Sequence, residues 1–319
     1  MEVIHQPGPC DPPKEGSVVT IGVFDGVHQG HRQLIDRVRT LAAGTGRISA
    51  VITFDPHPAT VIRPDAAPKQ LTDLDQKIEL LAATGVDRTV IIHFDEKRAH
   101  ESAEDFVDEI LLGCLDAKAV IVGKDFRFGH NRTGNVPLLT RMGAALGFDV
   151  DGVELFGVGG DVNPEDPDAN PVSSTKVRKA LTEGDVAAAT RMLGRPYQVR
   201  GVVGHGDKRG RKLGFPTANV EVPDRILLPA DGVYAGWYRR PDGRRQAASL
   251  SIGRRPTFYE NAKLSLLEAY VLDFEGDLYD ERASVDLVAR IRGQARFSGV
   301  EDLVAAMKSD VQETRRLLG

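Results

Sequence analysis

The chain has 319 residues, enough for two domains, with 41 % hydrophobic residues and a formal net charge of −5 from 41 basic and 46 acidic side chains. That balance excludes a large nucleic-acid footprint, which needs a strong basic excess, but not a local basic pocket for a phosphorylated small molecule. Its two cysteines, Cys10 in a Pro-rich leader and Cys114 in an apolar run, read as neither a disulfide framework nor a thiolate metal site, which points to a reducing compartment.

The leader "MEVIHQPGPCDPPKEG" has no apolar core of signal-peptide length, and no later run reaches the roughly 20 apolar residues of a membrane span. The expectation is a cytoplasmic protein with neither nucleic-acid nor membrane partner; a homo-oligomer remains open. From there the first half alternates two patterns. "VVTIGVF" (18–24), "ISAVITF" (48–54), "RTVIIHF" (88–94) and "AVIVG" (119–123) are continuous apolar runs that suit strands buried on both faces of a parallel sheet. Between them "HRQLIDRVRTLAA" (31–43), "DLDQKIELLAAT" (73–84, with Thr72 as cap) and "AEDFVDEILLGCL" (103–115, with Ser102 as N-cap) read as amphipathic helices, and "VPLLTRMGAAL" (136–146) as another. This alternation predicts a doubly wound α/β domain, with ligands beyond the carboxyl ends of its strands.

"GVGGDVNPEDPDANP" (157–171) reads as a loop, and a helical pair follows over about 174–193. After "LGRPY" (193–197) the alternation stops. Segments 232–240, 245–253, 266–274 and 282–291 are strand-like, "PDGR" (241–244) is a hairpin turn, and together they predict a small antiparallel barrel. A last helix is expected to start with a Ser298/Glu301 capping box and to carry Val300, Leu303, Val304, Met307 and Val311 on one side. The domains divide as 1–193 and 194–319.

The densest chemistry sits in "GVFDGVHQGH" (22–31), where His28 and His31 lie among Gly22, Gly26 and Gly30. A zinc site would need further ligands at metal spacing, and neither Gly-x-Gly-x-x-Gly nor a P-loop ending is present. Glycines let backbone N–H groups approach a polyphosphate, and the helix starting near Gly30 aims its positive end at the same place. Two imidazoles about one turn apart can donate to phosphate oxygens as charge builds, which suits nucleotidyl transfer. Taken singly, each histidine is equally at home as a cap or a surface residue.

This stretch resembles the α/β nucleotidylyltransferases. With "FDPHP" (54–58), "VGKDFRFG" (122–129) and "VSSTKVR" (172–178) it resembles the bacterial bifunctional riboflavin kinase/FAD synthetases. The resemblance implies a Rossmann-like N-terminal domain that adenylylates FMN. There His28 and His31 hold phosphates, and Gly22, Phe24, Asp25, Gly26, Gly30, Asp125, Ser174, Thr175 and Arg178 serve ATP. Phe54, Asp55, Pro56, His57 and Pro58 lie towards the flavin.

In the second half, "GVVGHGDKRGRKLGFPTANV" (201–220) joins a glycine-rich basic loop to Thr217 and Asn219, two neutral oxygen ligands on one strand face, of the kind Mg²⁺ accepts beside water and phosphates. In "LLEAYVLDF" (266–274), Glu268 shares a strand face with Leu266, Tyr270 and Leu272, which would partly desolvate it and make it a better base. "PTAN", "SIGRRPTF" (251–258) and "LLEAYVLDF" resemble the riboflavin kinase module. That likeness implies Glu268 as base towards the ribityl hydroxyl, Thr217 and Asn219 as metal ligands, and Gly204, Gly206, Gly210, Lys212 and Gly214 as the ATP flap. The expected substrates are ATP, riboflavin and FMN, with Mg²⁺. Two rivals are a transferase acting on another phosphorylated substrate and a flavin-binding protein without catalysis.

Overall fold

The structure is a computed structural model and describes residues 1–6, 10–154, 171–205, 214–254 and 265–319. The loop expected over 157–171 lies almost wholly outside the described residues. Contacts divide the chain into two units, Met1–Ser173 and Ser174–Gly319.

The first unit is built on six parallel strands: β1 (Glu2–Gln6), β2 (Ser17–Ile21), β3 (Ile48–Asp55), β4 (Arg88–His93), β5 (Ala117–Gly123) and, after the two-residue strands β6 (Arg127–Phe128) and β7 (Gly134–Asn135), β8 (Asp149–Val153). Their order is β1-β4-β3-β2-β5-β8. β2 is buried along its whole length, as expected of a strand with helices over both faces. On one face lie α1 (Gln29–Thr45) and, past the short α2 (Pro58–Ile62), α3 (Leu74–Ala82), with Ile35, Val38 and Leu81 in the core. The other face carries, after the single-turn α4 (Glu96–Ala99), helix α5 (Ala103–Phe106), which continues as a π-helix over Val107–Cys114, and then α6 (Val136–Leu146); Phe106, Ile110, Leu111 and Leu139 pack there. The chain runs from β2 outward through β3 and β4, then returns to β5 on the opposite flank. The topological switch point therefore falls between β2 and β5, where open α/β sheets bind ligands.

Two local expectations are corrected. Asp73, not Thr72, caps α3: its carboxylate accepts from Gln76 N–H at 2.7 Å. Thr72 is unavailable because its hydroxyl accepts from Gly26 N–H and donates to Asp25. The leader contributes β1, which pairs with β4. It also carries Cys10 back to Cys114, with which it forms a disulfide at a Cα–Cα separation of 5.1 Å, so the reading of the two cysteines as forming no disulfide is corrected. Ser102 does cap α5, accepting from Asp105 N–H at 3.0 Å.

The second unit opens with α7 (Ser174–Glu183) and α8 (Val186–Leu193) and continues as a closed antiparallel barrel of β9 (Tyr197–Gly204), β10 (Ala218–Glu221), β11 (Gly232–Arg239), β12 (Arg245–Arg254), β13 (Ser265–Val271) and β14 (Arg282–Gly293), in the order β10-β13-β12-β11-β14-β9. Its interior holds Val199, Val203, Tyr234, Leu250, Leu267 and Leu287. Tyr238 is also buried, and burial together with the Glu281 carboxylate it donates to at 2.8 Å keeps its phenol protonated. The contact division falls before the helical pair, earlier than the change in sequence pattern. The reason is packing: α8 lies against β9 and β14, and Ala230 N–H donates to the Leu181 carbonyl at 2.9 Å.

The chain ends in α9 (Val300–Leu318). Its N-cap is Gly299, without a side-chain cap bond, and Ser298 bonds Asp302 instead. The expected capping box does not form. Val300 is exposed, and the deeply buried positions of the helix are Asp310 and Thr314. Asp310 takes a bidentate ion pair from Arg292 of β14 at 2.7 and 2.8 Å. Asp310→Ala would leave that guanidinium without its partner and is expected to lower stability by about 1–3 kcal/mol. Chemical denaturation measures this; an unchanged midpoint would show that the pair does not dock the helix.

Candidate functional site

The first site begins where β2 ends. Gly22 N–H is tied to the Ile52 carbonyl at 3.0 Å. The chain then turns through positive φ at Phe24, Gly26 and Val27 (50°, 82° and 39°). Gly26 meets that requirement without strain. Phe24 and Val27 do not, at a cost of order 1–3 kcal/mol each. Both are fully buried, at 1 % and 0 % exposure, and burial on that scale contributes roughly 1.5–3 kcal/mol per side chain, so packing offsets the strain.

The turn delivers His28 to the N-cap of α1, 2 % exposed. Its Nδ1 accepts from His31 N–H at 3.3 Å, which leaves Nε2 as the ring's donor. The two imidazoles stack with centroids 3.5 Å apart, and Phe24 meets His31 edge-on at 5.0 Å. Burial, the neighbouring His28 and the Lys77 cation hold the His31 pKa well below the usual imidazole range. His31 is therefore neutral near pH 7, and its Nδ1 is buried without a hydrogen-bond partner among the described residues. Gly30 is a close approach: a Cβ there would stand 3.3 Å from the Val172 carbonyl and 3.4 Å from the His28 ring.

β3 and β5 flank β2 in parallel, so three motifs meet at one edge of the sheet. Phe54 and Asp55 end β3. Pro56 follows through a cis peptide bond, and His57 caps α2, whose first residue is Pro58, by accepting from Ala59 N–H at 3.1 Å. Asp125 is exposed in the turn after β5. The Asp25 carboxylate accepts from Leu71 N–H at 2.9 Å and Thr72 N–H at 3.2 Å, clasping the approach to α3. Ser174, Thr175 and Arg178 open α7 in the second unit.

In the barrel, strand register assembles a second group. Gly204 of β9 pairs with Asn219 of β10, Asn219 with Glu268 of β13, and Glu268 with Ser251 of β12. Directly paired residues share a face. Ala218, Val220, Leu267 and Ala269 turn inward and are buried, while Asn219, Glu268 and Ser251 are half-buried on the other face. Leu266 and Tyr270 lie on that face beside Glu268, as expected, but Leu272 is buried past the strand end. Tyr270 meets Phe215 edge-on at 5.2 Å, and Gln294 Nε2 donates to Ser251 Oγ at 3.3 Å. Thr217 is half-buried one residue before β10, and Gly214 is exposed with φ +84°. Gly206, Gly210 and Lys212 lie outside the described residues. Among the described residues no cluster of three or more His, Cys, Asp or Glu could hold a metal. Thr217 and Asn219 supply hard, neutral oxygens instead, which fits Mg²⁺ completed by water and nucleotide phosphates.

The FAD synthetase family model matches residues 10–164, and the riboflavin kinase family model matches residues 193–318. The bifunctional riboflavin kinase/FMN adenylyltransferase of Listeria monocytogenes is 38 % identical over 301 residues, 93 % of this chain and 91 % of that protein. The chain belongs to the bifunctional riboflavin kinase/FMN adenylyltransferase family. The Escherichia coli K12 member is 37 % identical over 96 % of this chain and 94 % of its own length. Among solved structures, a Streptococcus pneumoniae protein described as a macrolide-efflux protein matches with TM-score 0.85 and 29 % identity over 99 % of both chains. No helix among the described residues is long and apolar enough to cross a membrane.

Two residues at the sites escaped the sequence reading. Ser251 stands opposite Glu268, a relation set by register and invisible in either strand alone. Lys77 sits in a helical pattern where a lysine reads as a solvated side chain, yet it is 7 % exposed.

Proposed function

We propose that the barrel phosphorylates riboflavin to FMN and that the α/β unit adenylylates FMN to FAD, with ATP as donor in both steps and ADP and pyrophosphate as by-products. The observation that carries the reading is the presence of two separate constellations: the stacked His28/His31 pair at the switch point of the sheet, and the Gly204–Asn219–Glu268 row of the barrel. Each falls in the half of the chain that matches the corresponding family. We assign adenylyl transfer to 1–193 and phosphoryl transfer to 194–319.

In the barrel, Glu268 takes the proton of the ribityl hydroxyl as that oxygen attacks the γ-phosphorus. Thr217 and Asn219 would hold Mg²⁺, which would supply charge neutralisation on the phosphates. We assign the phosphates of the kinase ATP to Gly204 and Gly214 and, outside the described residues, to Gly206, Gly210 and Lys212. In the α/β unit, His28 and His31 donate to the triphosphate as an FMN phosphate oxygen attacks the α-phosphorus and pyrophosphate leaves. Gly22, Gly26 and Gly30 admit the nucleotide, with Phe24 and Asp25 shaping the turn. We assign Asp125 to the ATP side and Phe54 to Pro58 to the flavin side; Ser174, Thr175 and Arg178 open the second unit, and their part in binding ATP rests on the resemblance of "VSSTKVR" alone. Chromatography of flavins after incubation of riboflavin with ATP and Mg²⁺ tests the assignment; FMN followed by FAD supports it, and unchanged riboflavin refutes it.

Thr217→Ala and Asn219→Ala should each raise the Mg²⁺ concentration needed for half-maximal FMN production. A Mg²⁺ titration that overlays the wild-type curve would remove that residue from the ligand set.

A further inference from the structure

Lys77 ties together the two loops of the first site. Its ammonium donates to the Phe54 carbonyl at 2.9 Å, to Thr53 Oγ1 at 3.2 Å and to the Val23 carbonyl at 3.4 Å. The Thr53 hydroxyl in turn donates to the Val23 carbonyl at 2.9 Å. Val23 belongs to the loop that leads to His28 and His31, and Phe54 opens the Phe54–Pro58 segment. An ammonium has three protons, and here each has an acceptor, so Lys77 is occupied with protein oxygens rather than with ligand. Asp25 of the β2 loop and Asp55 of β3 lie near enough to stabilise the cation, and His31 of α1 feels its charge. His57 lines the same small cavity as Asp25, Asp55 and Lys77. Without the cation, three oxygens at the loop bases would lose a donor and two carboxylates their counter-charge.

We propose that Lys77 is a positioning residue for adenylyl transfer: it sets the spacing between the histidine loop after β2 and the flavin-side loop after β3. The proposal rests on the reading of those loops as the adenylyl-transfer site. A misplacement of about 1 Å away from the reacting atoms can cost roughly 10²-fold in rate, and Lys77 controls both loops from beneath.

The ammonium must be protonated to satisfy all three acceptors. Burial lowers its pKa, with Asp25 and Asp55 opposing that shift. Adenylyl transfer should therefore fall on the alkaline side before the ordinary lysine range is reached. Arginine stays charged there.

The test compares wild type, Lys77→Met and Lys77→Arg, each given FMN and ATP at varied concentrations and across pH, with FMN formation from riboflavin as the control on folding. Lys77→Met should lower kcat/KM for FMN adenylylation by about 10²-fold while riboflavin phosphorylation is retained. Lys77→Arg should recover part of the rate and extend activity to higher pH. Wild-type adenylylation constants in Lys77→Met, or a parallel loss of both activities, would overturn the proposal. His28→Ala/His31→Ala run alongside separates the two failures: if it lowers adenylylation and Lys77→Met does not, only the role of Lys77 falls. If neither does, the site assignment falls and the proposal with it.

Discussion

Glu268→Gln is expected to stop FAD formation from riboflavin while leaving FAD formation from added FMN intact. Glutamine keeps the volume of the side chain on the outer face of β13, beside Leu266 and Tyr270, but cannot accept the ribityl proton. General-base catalysis is worth about 10²–10⁴ in rate. Phosphoryl transfer leans on positioning and metal, so a loss near the lower end is expected. Riboflavin binding should survive, because the side-chain volume hardly changes. Supplying each flavin in turn with ATP and Mg²⁺ and quantifying FMN and FAD decides the matter. Rapid FAD production from riboflavin would show that Glu268 is not the base, and failure with both flavins would show that it serves the fold.

His28→Ala with His31→Ala should give the reciprocal result: FMN accumulates and FAD does not. Removing one preorganised donor to developing charge typically costs about 10²–10³ in rate, and here two stacked donors go together. The substitution also removes the cap on His31 N–H, which costs about 1 kcal/mol in helix stability. That is too little to unfold a domain whose sheet is covered on both faces. Riboflavin phosphorylation should stay near wild type. Undiminished FAD yield, or equal loss of both activities in folded protein, would contradict the assignment.

The architecture was legible where sequence pattern and burial coincide. The apolar runs of β2 to β5 suited covered strands, and α6 falls where its spacing predicts, between the Asn135 cap and Gly147. The loss of alternation after Leu193 announced the barrel. Features set by tertiary partners were not legible. β1 is a five-residue edge strand beside a Pro-rich stretch, too short and too exposed to show a pattern. Thr72 looks like a helix cap until Asp25 and Gly26 take its hydroxyl. Ser298 and Glu301 have capping-box spacing, yet Ser298 bonds Asp302, and α9 is docked by the Arg292–Asp310 pair.

The sites divide the same way. Of the four motifs of the first half, only the stretch 22–31 suggested phosphate chemistry by its own residue types, glycines and imidazoles at a strand end; "FDPHP", "VGKDFRFG" and "VSSTKVR" took on meaning through the family resemblance alone. What each side chain does locally was not readable. The His57 ring is spent on a helix cap and the Asp25 carboxylate on the backbone of Leu71 and Thr72. The alignment of Gly204, Asn219, Glu268 and Ser251 exists only once four strands are in register.

The central claim is that two independent sites share one chain. Complementation tests it most directly: Glu268→Gln protein and His28→Ala/His31→Ala protein are incubated together with riboflavin, ATP and Mg²⁺, and flavins are followed by chromatography. Alone, the first variant should leave riboflavin unconverted and the second should stop at FMN. Mixed, they should produce FAD, because FMN released by one is adenylylated by the other. A mixture that accumulates FMN without FAD, or makes neither, would contradict the account.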